Sequence, residues 1–226
     1  MFEVSDGWKA AYPDAHAGLL VVRGVANPAQ HPALEERKAV LEARLRSHWA
    51  GETQAMMASD PVLRTYQAYY RRFKKSYHVR LQLESLVMKG RSLPRVSALV
   101  DAMFMAEMEH LLLTAGHDLD TVELPIRLDV ARGDEAYTLL RGEAEVLKAG
   151  DMMMADRAGV ISSILYGPDQ RTQITPRTQQ VAYTVYAPPG VGAETVQRHL
   201  LAIQESVRLV SPEGQVEVSR VFAAAG

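Results

Sequence analysis

The hydrophobic pattern changes period near residue 120, and that change constrains the fold more than any short motif does. Before it, apolar residues recur at helical spacing; after it, they alternate. Leu34, Val40, Leu41, Leu45 and Trp49 recur among Glu and Arg between His31 and Trp49, the pattern of an amphipathic helix. Asp60-Pro61 supplies a capping carboxylate and a first-turn proline, predicting a helix through Val62, Leu63, Tyr66, Tyr69, Tyr70 and Phe73. Another helix is predicted over Val79 to Met88, ended by Gly90. The next covers Val96 to Leu111, where Leu99, Val100, Met103, Phe104 and Met108 form a stripe flanked by Asp101, Glu107 and Glu109.

Past Asp120, the segments Ile126 to Val130, Val160 to Tyr166 and Val181 to Tyr186 alternate with period two and are separated by turn residues, as strands do. Thr195 to Val210 reads as a helix and Val216 to Phe222 as a last strand; Ala17 to Val22 is an apolar run suited to a buried strand. Helices first and strands later predict an α+β fold, with helices packed on a mixed, mostly antiparallel sheet, rather than a βαβ repeat. No internal repeat, low-complexity tract or interdomain linker interrupts the 226 residues, so a single domain is expected.

Composition removes several function classes. The formal charge of −2, from 25 basic and 27 acidic residues, gives no global attraction to nucleic acid, so RNA contact would need a local patch. With no cysteine there are no disulfides or thiolate metal sites, which fits a reducing, cytoplasmic location. No signal peptide and no long apolar run appear, so no membrane association is expected. The histidines lack metal-ligand spacing, and Gly190-Val191-Gly192 lacks the context of a phosphate loop; neither metal nor cofactor is expected. Ser162-Ser163 lacks a nucleophile-elbow pattern, which disfavours a serine triad.

Two constellations remain. In Gly116-His117-Asp118-Leu119-Asp120, expected as a short loop between a buried helix and the sheet, two carboxylates flank an imidazole. A neighbouring carboxylate can orient His117 and favour its charged form, as a general base or water-positioning group requires. The competing reading, which spacing alone favours, is that Asp118 or Asp120 caps a turn and His117 lies on the surface. The second is Tyr69 to Arg80, where Arg71, Arg72, Lys74 and Lys75 interleave with aromatics including Tyr77. Cations neutralise phosphates while exposed rings stack on unpaired bases, making this the best RNA-contact candidate. The competing reading puts Tyr66, Tyr69, Tyr70 and Phe73 in the core and the cations on the wet face. Met103, Met105, Met108 and Met152 to Met154 supply either an adaptable pocket or core filler.

As an ordered set, Leu93-Pro94-Arg95-Val96-Ser97-Ala98-Leu99-Val100-Asp101, then Gly116 to Asp120, then Gly150-Asp151 and Thr175-Pro176-Arg177-Thr178, resembles the B3/B4 domain family. That family includes the editing module of the phenylalanyl-tRNA synthetase beta subunit and stand-alone relatives. The resemblance implies one B3/B4-like domain over residues 1–226, with 79–222 as its core and 1–78 less diagnostic. In the synthetase, the module hydrolyses tyrosine wrongly attached to the phenylalanine tRNA, using positioned water and no metal. The resemblance therefore implies an editing-like deacylase that acts in trans on an aminoacylated tRNA. The alternative is a non-catalytic module that binds tRNA, other RNA or an amino acid; a small-molecule hydrolase is a third possibility.

Carried over at ungapped spacing from Asp101 and Asp118-Leu119-Asp120, the family's Thr-Asn pair falls on Met103 and Phe104, and its editing histidine on Ala115. A pocket glycine falls on Tyr166 and the tyrosine-reading glutamate near Thr184, replacements that disfavour tyrosine as the amino acid. On this footing His117, or a held water, transfers protons, with Asp118 or Asp120 orienting it. Met103, Phe104, Ser163, Tyr166 and Thr184 are the expected substrate contacts.

Overall fold

The computed structural model describes residues 1–224, with all of their side chains except those of residues 54 and 55. The chain runs through β1 (Phe2–Val4), α1 (Asp6–Ala11), β2 (His16–Arg23), α2 (Pro32–His48), α3 (Gln54–Met57), α4 (Pro61–Arg72), α5 (His78–Met88) and α6 (Ala98–His110). It continues with β3 (Leu113–Asp118), a 3-10 turn (Leu119–Thr121), β4 (Ile126–Val130), β5 (Ala136–Thr138), β6 (Ala144–Val146), β7 (Met152–Asp156) and β8 (Gly159–Ser163). The last elements are β9 (Gly167–Pro168), β10 (Gln180–Ala187), α7 (Ala193–Val210) and β11 (Gln215–Ala223).

The helices form where cap and stripe agree. Asp60 accepts the Val62 and Leu63 N–H groups at 2.9 and 3.0 Å, satisfying donors that α4 leaves unpaired in its first turn. Tyr66, Tyr69 and Tyr70 then face inward from that helix. Helix α6 is buried almost all round, Asp101 and Glu107 included. The Asp101 carboxylate lies 2.5 Å from Lys38 Nζ of α2 and also accepts the Val96 N–H at 3.0 Å, so it ties α6 to α2 and to its own approach segment. Lys38 is held further by Glu35 at 3.2 Å and the Pro94 carbonyl at 3.3 Å.

The strands form a five-stranded sheet in the order β1-β4-β7-β8-β9, a four-stranded sheet β11-β2-β10-β3 and a β5-β6 hairpin. Only the β1-β4 pairing is parallel among the described strands, so the architecture is α+β with mixed, mostly antiparallel sheets. Strand β2 is paired on both sides, with β10 and with β11, which places an N-terminal segment in the middle of the C-terminal sheet. Helix α7 packs across β2, where a Cβ at Gly18 would come within 2.8 Å of Val196. Toward the five-stranded sheet, the Tyr186 hydroxyl of β10 meets Ser162 of β8 at 2.7 Å.

Two expectations change here. The segment from Gly116 to Asp120 is not a loop, because Leu113–Asp118 is a fully buried edge strand and Leu119–Thr121 a single turn after it. Helix α6 ends on Leu111 in the left-handed region, at φ 60, so the chain re-enters the core at once. The expected strand over Val160 to Tyr166 stops at Ser163, where the Ser163 hydroxyl accepts the Tyr166 N–H at 3.1 Å and turns the chain into β9.

Candidate functional site

A cavity of about 690 Å³ opens along the free edge of β3, between α5, α6, the β8–β9 turn and the tip of the β5–β6 hairpin. Its size is that of a small-ligand site. Val96, Val100, Met103 and Phe104 from the α6 side and Leu165 and Ile174 opposite give it apolar walls. Its polar groups come from scattered segments: His78 and Gln82 of α5, Glu107 of α6, Thr114 of β3, Arg141 of the hairpin and Ser163 of β8.

The β3 edge is divided between structure and cavity. Thr114 donates its N–H to Glu107 Oε1 at 2.8 Å, and Asp118 donates its N–H to the Thr172 carbonyl at 2.7 Å. Gly116 lies between them with the same strand parity, so its backbone edge points away from β10 and into the cavity that it lines. The absence of a side chain is required here: a Cβ at Gly116 would stand 2.7 Å from Ile174 Cδ1 and 3.3 Å from Met103 Sδ. Glu107 also accepts the Leu111 N–H through its backbone carbonyl, so one residue both ends the helix and catches the strand that follows. Burial pushes the Glu107 carboxyl up to about 8, with the Thr114 N–H acting weakly against that. Burial has the opposite effect on His78, lowering its affinity for a proton and leaving a neutral imidazole at neutral pH.

Of the expected substrate contacts, Met103, Phe104, Ser163 and Tyr166 line this cavity, as does Ala115. Thr184 does not; it is fully buried on β10, and its hydroxyl donates to the Ala115 carbonyl at 3.4 Å. The structure does not bring His117 to the cavity either. Its Nδ1 lies 2.8 Å from the Thr172 hydroxyl, which donates its own hydrogen to Asp169, so His117 is the donor in that contact. Its Nε2 is buried without a partner among the described residues, and desolvation pushes its pKa down to about 3. Asp118 does not orient it: Oδ1 accepts the Asp120 N–H and Oδ2 the Thr178 hydroxyl at 2.6 Å, holding the following turn. Asp120 is exposed and pairs with Gln180. These three groups are engaged at the end of β3 and do not line the cavity.

The basic stretch divides the same way. Arg71, Arg72, Lys74 and Lys75 are exposed, whereas Tyr69, Tyr70, Phe73 and Tyr77 are core residues. Tyr77, expected as a base-stacking ring, instead stacks on Tyr66 with centroids 4.4 Å apart and donates its hydroxyl to the Leu111 carbonyl at 2.9 Å. None of these four buried rings is therefore free to stack on a base, and Arg72 is spread over Tyr12, Tyr69 and Phe73. Lys75 connects the stretch to the cavity, with its ammonium 4.0 Å above the ring of Tyr166.

A second buried acid lies behind the cavity wall. Asp151 accepts the Tyr69 hydroxyl at 2.7 Å, and burial pushes its carboxyl up to about 7 against the pull of the Tyr69 and Ser163 hydroxyls. Nothing in the sequence singles out Glu107, His78 or Arg141 as cavity groups. Glu107 reads as a wet flank of a helix, and the other two stand in segments far apart in the chain, so only the fold assembles them. Among the described residues, no group of His, Cys, Asp or Glu is placed to hold a metal ion, and no helix is long and apolar enough to cross a membrane.

An apolar cavity with a few convergent polar groups lies at the edge of an antiparallel sheet in an α+β fold. The B3/4 domain family matches residues 63–219, and the chain belongs to that family. Its fold is similar to that of an N-terminal fragment of the phenylalanyl-tRNA synthetase beta subunit from Pyrococcus horikoshii, with a TM-score of 0.52 at 12% identity. The likeness covers 98% of this chain and 54% of that fragment, so the chain spans about half the fragment's length. No curated protein matches the chain.

Proposed function

We propose that the chain is an aminoacyl-tRNA editing-like factor whose cavity receives the aminoacyl end of a mischarged tRNA and hydrolyses its ester. The observation that carries this reading is the cavity at the β3 edge of a B3/4 domain, where apolar walls meet a neutral imidazole and an inward-facing backbone edge. The apolar walls suit an amino-acid side chain. His78 accepts a proton from water as its oxygen adds to the ester carbonyl carbon, then returns a proton to the departing ribose oxygen. The Gly116 N–H is oriented to donate to the negative oxygen that develops on that carbon. The exposed Arg71, Lys74 and Lys75, together with Arg141 at the cavity, supply cations for the tRNA backbone.

The test is deacylation of a panel of mischarged tRNAs by the purified chain, beside a synthetase editing domain acting on its own substrate. Loss of at least one ester above the buffer rate, abolished in His78→Ala, is the expected result. An inert chain beside an active control overturns hydrolysis. A non-catalytic tRNA-binding or amino-acid-binding module is the second reading, favoured by the burial of His117 and the structural engagement of Asp118. In that case a salt-sensitive tRNA gel shift, weakened in an Arg71→Glu, Lys75→Glu variant, persists without turnover.

A further inference from the structure

Among the described residues, no cation forms an ion pair with the Glu107 carboxyl. Glu107 is 2% exposed, it lines the cavity, and its Oε1 is occupied by the Thr114 N–H. No hydrogen bond from a described residue reaches its second oxygen. The titratable groups that face it are neutral. Tyr66 and Tyr70 of α4 and Tyr77 before α5 are held protonated by burial, with Glu107 itself adding to that effect. Tyr186 of β10 is likewise held protonated. His78 on α5 is held unprotonated, as are His110 at the end of α6 and His199 of α7, which meets Thr114 Oγ1 at 2.6 Å. Arg141 is the charged group on the cavity lining, and it sits exposed at the hairpin tip. A buried carboxyl that no protein cation compensates, in a pocket with apolar walls, is stabilised most by a cation that arrives with the ligand.

We propose that Glu107 is the seat of a ligand ammonium group, and that the cavity selects primary amines carried on an apolar body. An aminoacyl group with a free α-amine has that chemistry. The proposal rests on the reading above for the ester and the tRNA, but not for the amine. Apart from the loss of the Glu107 proton, no covalent bond is made or broken at this seat. A proton leaves Glu107 for solvent as the ammonium enters, and the carboxylate and ammonium pair.

The probe is 2-phenylethylamine, with 2-phenylethanol as the matched neutral compound, titrated calorimetrically into the whole chain from about pH 6 to about pH 9. The amine should bind more tightly than the alcohol. Its affinity should rise by up to about tenfold per pH unit and level off above about 8, where Glu107 is ionised before the ligand arrives. Binding below that pH should release a proton, seen as a heat that changes with the buffer's ionisation enthalpy. In Glu107→Gln, whose amide oxygen can still accept the Thr114 N–H, the amine preference and its pH dependence should vanish while alcohol binding is retained. The proposal is overturned if the amine fails to bind at about pH 9, if the alcohol binds as well as the amine, or if native binding releases no proton. The native titrations decide the matter even where the variant does not fold. Amine binding without deacylation removes the editing reading and leaves the seat, whereas deacylation undiminished in Glu107→Gln removes the seat alone.

Discussion

Replacing Lys38 by Met should destabilise the fold more than replacing Asp101 by Asn, although the two residues form one ion pair. Lys38 and Asp101 side chains are 4% and 2% exposed, so each charge depends on its protein partners. Without Lys38, the Asp101 carboxylate keeps only the Val96 N–H, and breaking a buried pair from one side costs about 3–5 kcal/mol. In Asp101→Asn, the amide oxygen can still accept from Val96, and Lys38 retains Glu35 and the Pro94 carbonyl. That loss belongs to the range of a weakened buried hydrogen bond, about 1–3 kcal/mol. For a chain of this length, the Lys38→Met loss corresponds to a fall in Tm of roughly 6–20 °C. Urea unfolding of Lys38→Met, of Asp101→Leu and of the double variant that combines them closes a cycle, with Asp101→Asn measured beside them, and the double variant should recover most of the stability. A Lys38→Met variant no less stable than Asp101→Asn, or a coupling energy near zero, would refute the claim that this pair anchors α6. Lys38 lies outside the family match at residues 63–219, so its loss also tests whether the N-terminal segment supports a wall of the cavity.

Stability should decline on both sides of a mildly acidic plateau. Glu107 and Asp151 have folded pKa values raised from 4.5 to about 8 and from 3.8 to about 7, so their contribution is complete below the unfolded values and is lost as pH rises. His117 and His199, pushed from 6.5 down to about 3, contribute above 6.5 and lose that contribution as pH falls. Between pH 6.5 and 8 the Glu107 share is about 2 kcal/mol, and urea midpoints should fall there in the native chain but less in Glu107→Gln; parallel curves would contradict this. Gly116→Ala places a methyl against Ile174 and Met103, so it should destabilise by about 1–3 kcal/mol and weaken 2-phenylethylamine binding. Unchanged affinity in that variant would separate the amine site from the β3 edge.

The long helices are legible in the sequence because cap and stripe coincide, as at Asp60 above Tyr66, Tyr69 and Tyr70. The class of fold is legible because the period changes where the helices give way to strands. Strand β3 is not. Leu111-Leu112-Leu113 continues the apolar run of α6, and the helix stops on a leucine in the left-handed region rather than on the glycine that usually marks such a stop. Gly116 and the carboxylates around His117 imitate a turn, yet the glycine is set by the approach of Met103 and Ile174 and the histidine by a partner 55 residues away. A small part of the cavity wall is legible by residue-by-residue resemblance, since Met103, Phe104, Ser163 and Tyr166 all line it. The polar groups other than Ser163 are not, because burial decides which of Glu107 and Glu109 is a buried acid and which a surface charge, and helical spacing alone does not record burial.

An edge strand is ordinarily a hazard, because its open row of amides can recruit a strand from another chain. On β3 the Glu107 carboxyl and the Thr172 carbonyl occupy the amides on either side of Gly116, which leaves an opening one residue wide. That gap is too short to template a foreign strand, and Ile174 and Met103 crowd its approach. The groups that shape the cavity thus also keep the sheet from growing. Substitutions that loosen Glu107 or the Thr172 segment are expected to promote self-association as well as to disturb the cavity.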